Sequence, residues 1–186
     1  MTKGVVDGEQ IRVGDQLLVR CIHTPCHTAG HTSYFLSASG SAPAVFTGDV
    51  LFVGGCGRFF EGGPEEMLAS MKKLSALPAE TQVYVGHEYT VKNLQFAIEV
   101  EPENQDVQSK IMWAQDTRAK GVVTVPSTIG DEGRYNPFMR VSQPAVRKYC
   151  GTNTDVQTMR KLRNKKDNFV GSSRPWIPGG GPLPGL

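Results

Sequence analysis

Three of the four histidines of this chain lie in one short segment of the sequence. His23, His27 and His31 recur at a spacing of four residues. Neutral imidazole nitrogens are common ligands for zinc and related cations. A bound cation of this kind lowers the pKa of a coordinated water to roughly 7, which makes a nucleophile available at neutral pH. The segment therefore indicates metal-dependent hydrolytic chemistry.

Two further candidate ligands end short apolar runs elsewhere in the chain. Asp49 closes the run 44–49, and His87 closes the run 82–87. Short apolar runs bounded by glycine or proline are typical of buried strands. Residues at strand ends project into a shared crevice, so we expect imidazoles and a carboxylate to meet around a cation there. A carboxylate such as that of Asp49 could bridge two cations.

Two other interpretations of the histidines stay open. A strand-end histidine often does no more than hydrogen-bond the backbone of a loop. Alternatively, Cys21, His23, Cys26 and His27 could form a structural zinc site, although their spacing fits closed four-ligand sites poorly.

The elements that must position these residues follow from hydrophobic periodicity. The pattern predicts a hairpin over 10–23, strands over 33–37 and 44–47, and a further strand that runs into His87. Between the last two strands, a glycine-rich loop leads to Pro64, which is well placed to begin a helix. Beyond residue 88 only helices are predicted, over 93–100, 104–120, 142–150 and 154–167.

Composition and charge limit the class of protein. The 186 residues carry a net charge of +2 and four cysteines without a Cys-x-x-Cys pair. We expect free thiols and a cytoplasmic protein, with no membrane span and no transit peptide. Residues 147–166 hold seven basic side chains and one acidic side chain, which favours an anionic partner. The run lacks interleaved aromatic residues, so nucleic acid is the weakest choice of partner.

Seven motifs together resemble the glyoxalase II family, the hydroxyacylglutathione hydrolases of the metallo-β-lactamase fold. They occur in order between residues 10 and 169, at 24–31, 46–49, 55–59, 86–89, 124–128, 135–140 and 166–169. The resemblance implies an α/β fold: the second half of an αββα sandwich, followed by an all-helical C-terminal domain. It implies a metallo-β-lactamase-like domain at 1–88, a helical glutathione-binding domain at 89–170 and a disordered Gly/Pro-rich tail at 171–186.

The resemblance also implies roles for individual residues. His27 would ligate a first metal ion, His87 a second, and Asp49 would bridge both, while His31 would support the ligands without touching the metal. Four residues occupy positions where the family binds glutathione. These are Arg58, Tyr89, Arg163 and Lys166.

The implied reaction is hydrolysis of S-(2-hydroxyacyl)glutathione thioesters, with S-D-lactoylglutathione giving D-lactate and glutathione. The implied cofactors are two divalent cations, with zinc as the first expectation and iron or manganese as alternatives. The His-x-His-x-Asp-His metal segment of the family is absent from this sequence. We therefore expect weak or partial metal occupancy, impaired turnover and one exposed face of the remaining sheet.

Three alternatives accompany this expectation. The chain could bind glutathione without catalysis, or it could be another enzyme of the same fold, such as a persulfide dioxygenase. It could also self-associate through the exposed sheet, although a monomer is the first expectation. Longer forms of the family would also be compatible with a mitochondrial location.

Overall fold

A mixed six-stranded sheet forms the framework of the computed structural model, which describes residues 4–172 and 175–178. The strands lie in the order β1-β2-β3-β4-β7-β8, and a separate two-stranded sheet is formed by β5 and β6. The strands are β1 (Gln10–Val13), β2 (Leu17–His23), β3 (Thr32–Ala38), β4 (Ala44–Gly48), β5 (Leu51–Phe52), β6 (Gly55–Cys56), β7 (Gln82–Val85) and β8 (Ser127–Thr128). The four strand segments predicted from the sequence are confirmed.

The parallel pairing of β4 with β7 is the feature that brings the candidate ligands together. All other neighbouring strands in the large sheet are antiparallel. Helix α1 (Pro64–Ser75) makes the crossover between β4 and β7. Parallel strands have their carboxyl ends at the same edge, so Asp49 and His87 emerge side by side.

Helix α1 begins where the sequence predicts it to begin. Pro64 occupies its first turn, and the Glu66 carboxylate accepts a hydrogen bond of 3.0 Å from the Gly63 backbone N–H. Proline lacks an N–H that would go unpaired at this position, and the glutamate satisfies a backbone donor that precedes the helix. The buried face of α1, which includes Met67, Met71 and Leu74, packs into the main core.

The part of the chain that follows the sheet is mostly helical. Its helices are α2 (Thr90–Val100), α3 (Gln105–Ala119), α4 (Ile129–Tyr135), α5 (Pro144–Cys150) and α6 (Asp155–Asp167). Four of these match the predicted helices within three residues at each end. We call residues 89–170 the helical part.

The expectation that no strand follows residue 88 is wrong. Strand β8 lies in the helical part and pairs with β7 through Gln82 with Thr128 and Val83 with Ser127. Two residues are too few to show an alternating pattern, so this strand is invisible to periodicity. Helix α4 was also missed, since it has only seven residues and includes Gly130 and Gly133, which are poor helix formers.

One hydrophobic core joins the sheet to the helical part. Val45 and Val83 of the sheet belong to the same buried cluster as Met67 of α1 and Met159 and Leu162 of α6. The domain division at residue 88 stays a prediction, and across it the two parts share both a core and a sheet.

One face of the sheet carries exposed aromatic side chains, as predicted. Tyr34, Phe46 and Tyr84 are neighbours in register across β3, β4 and β7. The rings of Phe46 and Tyr84 stack with centroids 5.1 Å apart, and Phe46 remains 45% exposed. Val45 and Val83, on the opposite face, are fully buried.

Most of the predicted tail at 171–186 lies outside the described residues, because 173–174 and 179–186 are not included. Among the residues that the structure does describe, no helix has the length and apolar character needed to cross a bilayer.

Candidate metal centre

Three predicted ligands meet at the edge of the sheet where β4 and β7 end. The two carboxylate oxygens of Asp49 face different imidazoles. His27 Nε2 lies 3.5 Å from Oδ2, and His87 Nε2 lies 3.5 Å from Oδ1. The carboxylate therefore stands between the two rings, and its role as a bridging ligand stays a prediction.

His27 is held in one orientation by the backbone. Its Nδ1 lies 3.0 Å from the carbonyl oxygen of Arg58. A carbonyl can only accept, so Nδ1 carries the proton and donates. In the neutral ring, Nε2 then presents a lone pair toward Asp49. This is the tautomer that a metal ligand needs.

Two glycines allow the backbone to approach Asp49 closely. A Cβ on Gly86 would lie 2.3 Å from Asp49 Oδ1, and a Cβ on Gly57 would lie 1.8 Å from the Asp49 carbonyl oxygen. Real Cβ atoms do not tolerate such distances, so only glycine fits at either position. Gly86 also donates a 2.9 Å hydrogen bond to the Gly48 carbonyl, which fixes β7 against the Asp49 turn.

His87 is more open than His27. Its side chain is 52% exposed, compared with 19% for His27. The ring stacks on Tyr89 with centroids 5.1 Å apart, and Tyr89 in turn contacts Phe52 edge to face. Aromatic packing, rather than a side-chain hydrogen bond that the structure records, orients the His87 imidazole.

Glu88 secures the turn that carries His87. Its carboxylate accepts hydrogen bonds from the backbone N–H and the hydroxyl of Thr124. Burial alone would raise the pKa of Glu88, but these hydrogen bonds outweigh it and lower the pKa. The carboxylate ties the His87 turn to the helical part.

His31 is partly buried beside the turn that carries Asp49, and its supporting role stays a prediction. Its Nδ1 is 2.9 Å from the Thr24 hydroxyl, and its Nε2 would lie 2.8 Å from a Cβ on Gly48. Burial, followed by repulsion from His27, lowers the pKa of His31. The ring is thus held against the residue that precedes Asp49.

The predicted glutathione-binding cations lie on one side of the site and already have partners within the chain. Arg58 Nε and Arg163 Nη2 both approach Asp167 Oδ1, at 3.4 and 3.0 Å. Arg163 is buried and also donates to the Cys56 carbonyl at 2.9 Å. The two guanidinium groups therefore converge on one carboxylate.

Lys166 is the third predicted cation and is largely enclosed. Its Nζ donates to the Lys92 carbonyl at 2.9 Å and lies over the rings of Phe96 and Phe169. Burial, together with repulsion from Arg163 and Lys92, lowers the pKa of Lys166 to about 7. Its charge thus depends on pH near neutrality.

The donor chemistry of the site fits divalent cations, with few donors for each. Each oxygen of Asp49 lies near one imidazole nitrogen, so two protein donor atoms are present for each of two cations. Among the described residues, no group of three or more His, Cys, Asp or Glu side chains converges as a complete metal site.

The alternative structural zinc site at Cys21, His23, Cys26 and His27 is wrong for the same reason. The Cys26 thiol donates to the Gly63 carbonyl, and His23 Nε2 lies 3.0 Å from the Ala29 carbonyl. All four cysteines are buried thiols without a disulfide, as predicted. Burial raises the pKa of Cys26 to about 12 and that of Cys56 to about 11.

Sequence reasoning missed several residues that build the site. Glu61 accepts a 2.6 Å hydrogen bond from the Ala29 backbone and so holds the loop that carries His27. The contacts of Gly57 and Gly86 with Asp49 were also missed. Gly57 and Gly86 lie in the motifs 55–59 and 86–89 that carry the family resemblance. This was the one sign in the sequence that they belong to the site.

Comparison with known proteins shows the family to which this chain belongs. Residues 3–87 match the metallo-beta-lactamase superfamily, and residues 88–169 match the hydroxyacylglutathione hydrolase C-terminus. The chain is 49% identical over 172 residues to a protein named hydroxyacylglutathione hydrolase cytoplasmic from Arabidopsis thaliana, covering 91% of this chain and 67% of the relative. The chain belongs to the hydroxyacylglutathione hydrolase family.

A second member of the hydroxyacylglutathione hydrolase family shows similar coverage. The hydroxyacylglutathione hydrolase-like protein of Gallus gallus is 49% identical, over 91% of this chain and 61% of the relative. The chain thus spans about two thirds of the length of these relatives.

Solved structures agree with the fold of the family. The metallo-beta-lactamase from Staphylococcus aureus gives a TM-score of 0.53 at 22% identity, with 85% of this chain and 37% of the other covered. ETHE1 from Myxococcus xanthus gives 0.52 at 28% identity, with 92% and 53% covered. The predicted α/β class, with a partial metallo-β-lactamase sandwich and a helical C-terminal part, is confirmed.

Proposed function

We propose that this chain carries out hydrolysis of 2-hydroxyacylglutathione thioesters, with S-D-lactoylglutathione as the substrate. The observation that carries the proposal is the Asp49 carboxylate standing between His27 and His87, each 3.5 Å from a different oxygen. The relative from Arabidopsis thaliana is named for the same reaction class. Because the chain spans only part of its relatives, its activity is a matter for direct measurement.

The proposed cofactors are divalent metal ions, which membership of the superfamily implies. His27 and Asp49 Oδ2 would hold one ion, and His87 and Asp49 Oδ1 would hold the other. Zinc suits these nitrogen and oxygen donors, and iron or manganese are the alternatives. Structural and catalytic zinc sites use three or four protein ligands, so two donors at each side predict weak occupancy.

In the overall reaction, the oxygen of water bonds to the thioester carbonyl carbon, the carbon–sulfur bond breaks, and glutathione leaves as the thiolate and then gains a proton. Bound divalent cations would supply Lewis acidity at the carbonyl and a nucleophile at neutral pH. Asp49 fixes the separation of the two rings. The hydrogen bond from His27 Nδ1 to Arg58 keeps Nε2 available as a donor atom.

Arg58, Tyr89, Arg163 and Lys166 are the proposed glutathione-binding residues. Arg58 is 63% exposed and can turn from Asp167 to a carboxylate of the ligand. Lys166 would gain charge on binding an anion, because an opposite charge raises the pKa of a lysine. Arg163 is already committed to Cys56 and Asp167, so we propose that it mainly orients these neighbours.

The proposed partners are limited to the thioester substrate, and nucleic acid and membranes have no part in the proposal. We propose a cytoplasmic monomer, with self-association through the sheet face that exposes Tyr34 and Phe46 as the alternative. The relative from Arabidopsis thaliana is itself named cytoplasmic.

The test is a thioester hydrolysis assay on the purified full chain, with and without zinc. We expect slow, zinc-dependent loss of S-D-lactoylglutathione, abolished in Asp49→Asn, which keeps the side-chain shape but removes the charge. Fast turnover with tightly bound zinc would contradict the predicted weak occupancy. No zinc-dependent turnover would contradict the proposed activity.

Two parallel measurements separate the rival functions. Calorimetric titration with glutathione identifies a binding protein if heat of binding is seen without hydrolysis. Oxygen consumption with glutathione persulfide identifies a dioxygenase of the same fold. Neither result is expected.

A further inference from the structure

A two-stranded hairpin beside the candidate metal centre makes five backbone hydrogen bonds with side chains of the helical part. We call residues 51–57 the glycine hairpin; it includes β5 and β6. Its turn has Gly54 at φ +67°, in the left-handed region that favours glycine. Its backbone polar groups could be satisfied by water at an exposed turn, but here residues 51–57 are buried.

Four side chains satisfy these buried backbone groups. Asn136 Nδ2 donates to the carbonyls of Phe52 and Gly55, at 3.3 and 3.0 Å. Glu132 Oε2 accepts from the Gly54 N–H at 2.9 Å. The remaining contacts are Asn93 to the Val53 carbonyl at 3.1 Å and Arg163 to the Cys56 carbonyl at 2.9 Å.

Glu132 is the centre of this arrangement. Beyond Gly54, its carboxyl group accepts from the Asn136 amide at 2.9 Å, the Ser127 hydroxyl at 2.6 Å and the Tyr135 hydroxyl at 2.8 Å. The side chain is fully buried, and no cation pairs with it in these recorded contacts. A buried carboxyl group is costly, so four converging donors are needed to keep it there.

The glycine hairpin passes this restraint to the metal ligands. Gly57 donates to the Val50 carbonyl at 3.2 Å, and its backbone presses against the Asp49 carbonyl, where no Cβ could fit. The next residue, Arg58, offers its carbonyl to His27 Nδ1 at 3.0 Å. A shift of the hairpin would therefore move both Asp49 and the group that sets the His27 tautomer.

We propose that Glu132 and Asn136 are positioning residues, which act through the glycine hairpin to fix the His27 tautomer and the place of Asp49. The inference rests on the proposed function only in taking His27 and Asp49 as metal ligands. The restraint itself exists without metal or substrate, and it can be measured in the metal-free chain.

The test compares Glu132→Gln with Glu101→Gln in the metal-free full chain. Glutamine at 132 turns an NH2 group toward donors, whereas Glu101 is an equally buried carboxylate of the helical part that pairs with Arg140 away from the hairpin. Hydrogen exchange of residues 52–57 and the ¹⁵N signature of the His27 tautomer are recorded, followed by zinc affinity.

We expect Glu132→Gln to speed exchange across residues 52–57 by about tenfold and to mix the His27 tautomers. Zinc affinity should fall by about 10- to 100-fold, as for other groups that orient metal ligands. Glu101→Gln should leave all three readouts within about twofold of the unaltered chain. Equal behaviour of the two variants would overturn the proposal.

Tyr135→Phe keeps the test decisive if Glu132→Gln does not fold. It removes one donor to Glu132 and preserves the ring, so a smaller change of the same kind is expected. An unchanged exchange rate and tautomer in Tyr135→Phe would then overturn the proposal. If zinc does not bind the unaltered chain, the proposed function fails, but the exchange and tautomer measurements still decide the positioning role.

Discussion

The two imidazoles of the candidate centre are held in different ways. His27 is mostly buried and donates a hydrogen bond to a backbone carbonyl, whereas His87 is about half exposed and rests on aromatic rings. A hydrogen bond to one ring nitrogen fixes both the orientation and the tautomer of a neutral imidazole, while stacking fixes only the plane of the ring. We therefore expect the His27 side to bind metal more tightly than the His87 side.

Replacing Gly86 with alanine should weaken zinc binding at the His27 side and at the His87 side together. The new Cβ would lie 2.3 Å from Asp49 Oδ1, which forces the shared carboxylate to move. We expect zinc affinity to fall by at least about 100-fold, at the upper end of losses seen when ligands are misplaced. Isothermal titration calorimetry measures the change.

The matched control is Gly133→Ala in α4, where an added Cβ meets no atom within 4 Å. This change should leave zinc binding intact and stabilise the helix by up to about 1 kcal/mol. Equal zinc affinity in the two glycine variants would show that the Gly86 contact does not control Asp49.

Removing each imidazole in turn should show how much His27 and His87 each contribute to stability and to zinc affinity. His27→Ala leaves the Arg58 carbonyl without its donor and should cost about 1 kcal/mol of folding stability. It should also abolish zinc binding on its side of the site, where Asp49 would be the one remaining protein donor. His87→Ala should cost only about 0.5 kcal/mol, the lower end for loss of an aromatic pair, because the rings of His87 and Tyr89 are both about half exposed. Urea denaturation and zinc titration give the two quantities, and an equal loss of stability would contradict the contrast.

Lys166 and Arg58, two of the proposed glutathione-binding residues, also differ in exposure to solvent. Since the pKa of Lys166 is lowered to about 7, the folded chain binds fewer protons than the unfolded chain between about pH 7 and 10.5. Stability should therefore rise with pH across this window, by roughly 1–3 kcal/mol from this group. Lys166→Met should remove that rise in denaturation measured at pH 7 and pH 9.5.

Arg58→Met is the control for this pH dependence, because the Arg58 guanidinium is exposed and stays charged throughout the window. It should retain the rise that Lys166→Met loses. A rise of the same size in both variants would assign the pH dependence to other groups.

Tyr89→Ala should have the smallest effect, and it bears on the His87 side alone. Loss of an aromatic pair costs about 0.5–1.5 kcal/mol, so zinc affinity at the weaker site should fall by about 2- to 12-fold. Tyr89→Phe keeps the stacking and should behave as the unaltered chain does. A loss in Tyr89→Phe as large as in Tyr89→Ala would point to the hydroxyl instead of the ring.

The sequence was sufficient to predict β1 to β4, β7, the crossover helix and four other helices, because most of them have a recognisable hydrophobic period. The two-residue strands β5, β6 and β8 were not predicted. The sequence was also sufficient to bring His27, Asp49 and His87 together, since side chains at the ends of neighbouring strands share an edge. Their roles as ligands stay a prediction. The cations Arg58, Arg163 and Lys166 were predicted as a group, but the convergence of Arg58 and Arg163 on Asp167 was not.

The parts that escaped prediction depend on contacts between residues far apart in the chain. The two residues of β8 form a strand only because β7 lies beside them. Gly57 and Gly86 matter through the space that Asp49 occupies, and no local pattern reports that space. The sequence around Glu132 predicts an exposed residue of a short, glycine-containing segment. In the structure its carboxyl group is buried and accepts a hydrogen bond from Gly54, 78 residues earlier in the chain.

The pairing of β8 with β7 has a consequence for the order of assembly during translation. Strand β7 cannot gain its outer neighbour until residues 127–128 have left the ribosome, about forty residues after β7 itself. Until then, Gln82–Val85 presents an open row of backbone donors and acceptors to any other nascent chain. A protein shortened after residue 88 would keep that liability permanently, and it should precipitate where the longer chain does not.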